Sequence, residues 1–142
     1  MPGAAQIAIS GVMAPTLLAA SVAIVRQHDV LLIERARAPS QGLWTLPGGR
    51  LEVGETAEAC AIREIKEELG LTIFGVKPLR LMTHGQFQLQ VFGTQVFDGE
   101  IMPDAAEVRA WRWVRPHQLS ALKTTPGLGE VVQAAFRIFD RT

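Results

Sequence analysis

Residues 56–71, Thr-Ala-Glu-Ala-Cys-Ala-Ile-Arg-Glu-Ile-Lys-Glu-Glu-Leu-Gly-Leu, place the tightest constraint on how this 142-residue chain can fold. Thr56 is a helix-capping residue and Gly70 a helix stop, so the segment predicts one helix ending near Leu69. With Arg63 at 0° and about 100° per residue, Glu67 falls near 40°, Glu64 near 100° and Glu68 near 140°. Three carboxylates therefore share an arc of about 100° over little more than one turn. Ala61, Ile62, Ile65 and Leu69 fall between roughly 160° and 260°, the face expected to bury. Lys66 points away and cannot neutralise the cluster.

Like charges three and four apart repel, and carboxylates near a helix C-terminus oppose its dipole. Such a cluster is either a solvated acidic face or the holder of a hard divalent cation. Oxygen ligands at this density suit Mg²⁺, with Mn²⁺ as a substitute, better than zinc. The preceding loop, Gly48-Gly49-Arg50-Leu51-Glu52-Val53-Gly54-Glu55, adds two glycines that allow positive φ or close backbone approach. The Gly48 carbonyl is a further candidate oxygen ligand.

Composition narrows the class of protein around this helix. Fourteen Lys+Arg balance fourteen Asp+Glu, and 48% of residues are hydrophobic, which describes one globular domain and excludes a disordered chain. Zero net charge argues against a nucleic-acid polymer as partner. The single cysteine, Cys60, forms no internal disulfide and reads as a small packing residue. Residues 1–25 are uncharged, yet Gln6, Ser10, Gly11, Pro15, Thr16 and Ser21 interrupt them, and no basic residue precedes the apolar stretch. Neither a spanning helix nor a signal peptide is expected, and a cytoplasmic protein with no membrane partner is.

Leu17–Val25 and Val30–Glu34 read as strands joined by a polar turn, Arg26 to Asp29. Leu43–Leu46 is a short β-prone run that Pro47-Gly48-Gly49 should stop. Leu71–Val76, Leu79–His84 (after an interruption at Lys77-Pro78), Phe87–Phe97 and Ala110–Val114 are further strand candidates. Gly129–Phe139 has helical periodicity, with Val132, Ala135, Phe136 and Phe139 on one stripe. Strands around two helices predict an α/β sandwich with a mixed sheet in one domain, residues 16–142, preceded by an arm or extra strand over 1–15.

Gly49, five residues, Glu55, seven residues, then Arg63-Glu64-Ile65-Lys66-Glu67-Glu68-Leu69-Gly70-Leu71 resembles the Nudix box, G-x5-E-x7-R-E-U-x-E-E-x-G-U, over residues 49–71. Leu31–Arg35 and Gly42–Gly49 resemble the family's approach to that box. The resemblance implies an α/β/α sandwich and Mg²⁺-dependent hydrolysis of a nucleoside diphosphate linked to another moiety. It also implies Glu64 and Glu68 as principal metal ligands, with Glu67 nearby and the Gly48 carbonyl as a further donor. Arg63 would orient the carboxylates, and Glu55 would tie loop to helix. Glu107 stands where the family places a distal-loop carboxylate acting as base or ligand, with Asp98, Glu100 and Asp104 as rivals.

Arg35, Arg37 and Arg50 are near enough to the box to meet phosphates, and are otherwise ordinary surface cations. Trp44, Phe87, Trp111 and Trp113 are candidates to stack a base, with core packing the commoner role for Trp113. His28 and His117 read as turn or loop residues, and His84 as a strand end. ADP-ribose-like sugar diphosphates are the expected substrate class, ahead of oxidised or noncanonical nucleoside triphosphates. The reading from a different class is a non-catalytic nucleotide-sensing module. The apolar residues 1–15 also raise a homodimer contact as a hypothesis. Light scattering of the whole chain against one beginning at Pro15 tests it: the hypothesis expects the truncation to lower the particle mass, and equal oligomeric states contradict it.

Overall fold

The computed structural model describes residues 15–139. Nine strands and two α-helices follow in order: β1 (Thr16–Arg26), β2 (Asp29–Arg35), β3 (Trp44–Thr45), β4 (Gly48–Arg50), α1 (Ala57–Leu69), β5 (Thr72–Ile73), β6 (Lys77–His84), β7 (Phe87–Thr94), β8 (Phe97–Asp98), β9 (Val108–Val114) and α2 (Leu128–Phe139). A short 3₁₀ turn, Pro116–Ala121, links β9 to α2. Seven strands form one mixed sheet in the order β3-β2-β1-β7-β6, with β4 on β1 and β9 on β2, while β5 and β8 pair separately.

The organising element is β1. Its central residues alternate between two apolar layers: Ala20, Val22 and Ile24 face α1, whereas Ala23 and Val25 face α2. A strand buried on both faces reads as a continuous apolar run rather than an alternating one, which is why Leu17–Val25 is so uniformly hydrophobic. β7 lies parallel along one edge of β1, from Thr16↔Phe87 to Ile24↔Thr94. The other edge is shared by β2 at Val25–Arg26 and by β4 at Ala19–Ser21. Helix α1 closes one face with Cys60, Ala61, Ile65 and Leu69, and α2 closes the other with Leu128, Val131, Val132 and Ala135. The result is the expected α/β/α sandwich.

Where the structure departs from expectation, a neighbouring contact accounts for it. The short run does end before Pro47, at Thr45, as expected, but a new strand starts at once: Gly48–Arg50 forms β4, recruited by the edge of β1. Ile62, expected to bury, is 39% exposed, because the β1–β4 surface claims the side of α1 bearing Cys60 and Glu68 instead. Lys77-Pro78 lies inside β6, tolerated because β6 pairs only with β7 and absorbs the proline beside a register shift before Arg80. The Phe87–Phe97 run splits after Thr94, whose hydroxyl accepts the Val96 N–H at 3.2 Å and so turns the chain toward β8. Trp113 packs against the α1-side core, with the Phe97 ring 5.9 Å away and the Arg26 guanidinium 4.0 Å from its own ring centre.

No helix among the described residues is long and apolar enough to cross a membrane. The proposed arm over residues 1–15 lies, except for Pro15, outside the described residues. Ile65 is fully buried between α1 and the sheet. Ile65→Ala is expected to cost about 2–5 kcal/mol, whereas Lys66→Ala on the exposed face should stay within about 0.5 kcal/mol. Urea denaturation of the two variants checks this.

Candidate active site

The site is assembled where β4 leads into α1. Thr56 caps the helix by accepting the Ala59 N–H at 3.1 Å, and Gly70 ends it in the left-handed conformation at φ 74°. Gly48 and Gly49 serve close approach, since neither has positive φ. A Cβ at Gly48 would run into the backbone of Ala20 and Ser21 on β1, and one at Gly49 into the carboxyl group of Glu64. The strand thus lies flush on β1 with its other side against the helix carboxylates.

Arg63 is the hub of the loop–helix junction. Its Nε and one terminal nitrogen grip Glu55 as a fork, at 2.7 Å to Oε2 and 2.9 Å to Oε1. The same terminal nitrogen donates to the Arg50 carbonyl at 3.0 Å. The other donates to Glu64 Oε2 at 2.9 Å and Glu67 Oε1 at 3.1 Å. Paired forks of this kind are strong and directional, so one guanidinium fixes the loop, the helix and two of the three carboxylates. Glu55 also accepts the Glu52 N–H at 2.9 Å. The Arg63 bonds, reinforced by that N–H, hold its carboxyl down at about 2.

Glu68 is different in kind. It is the one glutamate among the described residues that is buried, only 6% exposed, and its Oε1 accepts the Gly48 N–H at 3.0 Å. Burial pushes its carboxyl up to about 8; the Gly48 N–H and the Arg35 charge oppose this, and the charges of Glu64 and Glu107 add to it. Glu64 is also raised, mainly by burial, against the pull of Arg63. Each of these two carboxylates has one oxygen engaged and the other without a hydrogen bond among the described residues. No three His, Cys, Asp or Glu side chains among the described residues stand close enough to enclose an ion unaided. The open oxygens of Glu64 and Glu68 are hard donors of the type Mg²⁺ accepts, an ion that typically takes one or two carboxylates and fills its octahedron with water and substrate phosphates.

Glu107, on a loop far along the chain, lies close enough for its charge to act on both Glu64 and Glu68. Its carboxylate meets Arg37 at 2.6 Å, and its carbonyl accepts the Ala36 N–H at 3.0 Å, fastening the β2–β3 loop to the loop before β9. Asp104 has a folding role: its backbone N–H bonds the Glu68 carbonyl, and its side chain accepts the Ala106 N–H. Arg35 donates to the Pro39 carbonyl at 2.7 Å with its charge acting on Glu68, while the side chain of Arg50 is exposed. Phe87 and Trp111 are 49% and 39% exposed, and Trp44 packs toward α2. Cys60 is buried, its thiol pushed up to about 11 by burial, as a packing residue should be. Sequence reasoning did not find the cavity of about 200 Å³ between the sheet and α2, which includes Ser21, Thr45, Met82 and Thr125 in its lining. Only Ser21, an isolated polar residue in an apolar strand, signals it.

A mixed sheet between two helices, with a glycine-backed loop feeding an acidic helix, defines a class of α/β/α sandwiches that gather carboxylates at one strand edge. The chain belongs to the NUDIX domain family, whose model matches residues 15–135. It is 33% identical over 100 residues to the Bacillus subtilis (strain 168) protein named "Putative 8-oxo-dGTP diphosphatase", covering 69% of this chain and 65% of that protein. It is 50% identical over 48 residues to an ADP-ribose pyrophosphatase of Methanocaldococcus jannaschii, covering 34% of this chain and 28% of that one. The crystal structure of a MutT NUDIX hydrolase from Burkholderia pseudomallei superposes with a TM-score of 0.77 at 30% identity, covering 84% of this chain and 97% of that one. Against the first two proteins the chain thus spans less than two thirds of the relative's length.

The Glu68 environment gives a test by stability. Its raised carboxyl favours the folded state fully at pH below about 4.5, and that contribution is lost as pH rises through about 8. In chelated buffer, the Tm of the parent chain should therefore fall relative to Glu68→Gln as pH rises from 5 to about 9. Calorimetry at stepped pH would show the two curves diverging; parallel curves contradict the burial argument.

Proposed function

We propose that this chain is a divalent-cation-dependent pyrophosphohydrolase that cleaves a phosphoanhydride in a nucleotide. The observation that supports it most is the pairing of Glu64 and Glu68, each held by one oxygen, beside a loop that brings in Glu107. Mg²⁺, or Mn²⁺ in its place, would be held by Glu64 and Glu68, with the Gly48 carbonyl as a further donor and Glu67 nearby. When bound, such an ion neutralises charge developing on phosphate oxygens and lowers the pKa of water. Arg63 keeps Glu64 and Glu67 in place, and the Gly48 N–H fixes Glu68. Glu107 is the candidate base, close to the carboxylates and steadied by Arg37. Arg35, Arg37 and Arg50 offer planar donors for phosphate oxygens.

The nucleoside would occupy the cavity on the α2 side. Ser21 joins its lining and sits opposite Gly48 in the β1–β4 pairing, and the Gly48 N–H is the group that Glu68 accepts. Hydroxyls of Ser21, Thr45 and Thr125 are its side-chain polar groups, and Thr125 already donates to Thr45 at 2.9 Å. Among substrates we place nucleoside triphosphates first, cleaved to the monophosphate and pyrophosphate, because the relative matched over 100 residues carries a diphosphatase name for an oxidised nucleotide. This reverses the order expected from sequence. The second reading is an ADP-ribose-like sugar diphosphate, favoured by the shorter, closer match to an ADP-ribose pyrophosphatase. Action in the cytoplasm on small nucleotides, without a membrane or nucleic-acid polymer, fits either.

Glu68→Gln keeps the shape and the acceptor for the Gly48 N–H, so turnover should fall by at least about a hundredfold while folding is retained. A panel of nucleotides with Mg²⁺, resolved by anion-exchange chromatography, identifies the substrate. Pyrophosphate released with a monophosphate supports the first reading, and AMP with ribose phosphate from ADP-ribose supports the second. Binding without turnover of any nucleotide would leave a sensing module.

A further inference from the structure

At the far end of the sheet from the carboxylates, the exposed His28, Arg115, Pro116 and His117, with the half-buried Phe136, line an open surface recess of about 310 Å³. The distance follows from the register. β2 runs from Asp29 and Val30, beside Val114, to Arg35, beside Val108, and seven residues of strand span about 20 Å. Three elements meet here: the β1–β2 turn supplies His28, the start of the 3₁₀ turn supplies Arg115 and His117, and α2 supplies Phe136.

Its lining side chains are mainly donors, with one acid, Asp29, beside them. Each imidazole presents an N–H donor in either charge state, and the guanidinium presents five. Among the described residues none of these side chains has a protein hydrogen-bond acceptor. The facing acid is Asp29, whose Oδ1 forms an ion pair with Arg115 Nε at 3.7 Å without a hydrogen bond, a contact a phosphate would share or displace. The Arg115 backbone N–H is already taken by the Gln118 side chain at 2.8 Å, so Arg115 offers the recess its guanidinium. Phe136, half-buried on the α2-side core, gives it a flat apolar wall. Donors that match phosphate oxygens beside an aromatic face suit a ligand with an anionic end and a planar one.

We propose that this recess is a second ligand site, for a small phosphate monoester bearing a planar ring, separate from the carboxylate cleft. Arg115, His28 and His117 hold the phosphate, and Phe136 meets the ring. The site requires no hydrolysis and stands whether or not the cleft cleaves nucleotides.

The chain has three histidines, His28, His84 and His117, which makes imidazole NMR a direct readout. AMP titrated in chelated buffer should shift the His28 and His117 signals in parallel, with millimolar affinity. Arg115→Gln should weaken this at least about tenfold, a loss of 1.4 kcal/mol. His117→Gln serves as the second variant if that protein fails to fold. Inorganic phosphate should bind more weakly than AMP, since it lacks the ring. The proposal is overturned if AMP moves neither signal by about 20 mM, if the variants bind as the parent does, or if inorganic phosphate binds as tightly as AMP.

Discussion

A carboxylic acid enclosed between a helix and a strand edge, with one backbone N–H as its hydrogen-bonding partner, is the constraint around which this molecule is arranged. Burying an ionised carboxylate without a cation costs several kcal/mol, and Glu68 has one N–H and a distant arginine to offset that. The fold nonetheless holds it there: α1 cannot rotate it outward without lifting Cys60, Ala61 and Ile65 out of the core. Packing energy on one face of the helix thus sustains an unfavourable charge on its rim, as expected where binding supplies the missing term.

Arg63 divides the carboxylates into two populations. Glu55, gripped as a fork, is fully ionised in any ordinary buffer and acts as structure. Glu64 and Glu67 are held by one bond each, so they are placed without being consumed. The glycines complete the arrangement by what they lack, since a side chain at Gly49 would occupy the position of the Glu64 carboxyl. The geometry belongs to the loop and helix together.

The box helix was legible because every local signal agreed: the Thr56 cap, the Gly70 stop, the carboxylate arc and the glycine pair all lie within 25 residues. So was β1 as an apolar strand, although its burial on both faces shows only once both helices are in place. The parts that escaped depend on partners distant in sequence. β4 is a strand because β1 offers an edge, and nothing in Gly48-Gly49-Arg50 announces it. Ile62 is exposed because of where the sheet lies, which helical periodicity cannot reveal. Glu107 was placed by resemblance to the family pattern, and its approach to Glu64 and Glu68 needed the backbone bond between Ala36 and Glu107. The α2-side cavity is built from five separate segments, so only one odd serine in β1 hinted at it.

The central claim is that an incoming divalent cation completes a buried carboxylate site that is still partly protonated near neutral pH. Calorimetric titration of Mg²⁺ or Mn²⁺ at pH 7.5, repeated in buffers of different ionisation enthalpy, tests it most directly. Binding accompanied by net proton release, with the release abolished in Glu68→Gln, is the predicted result. Absence of binding by either ion, with and without a nucleotide present, would contradict the account.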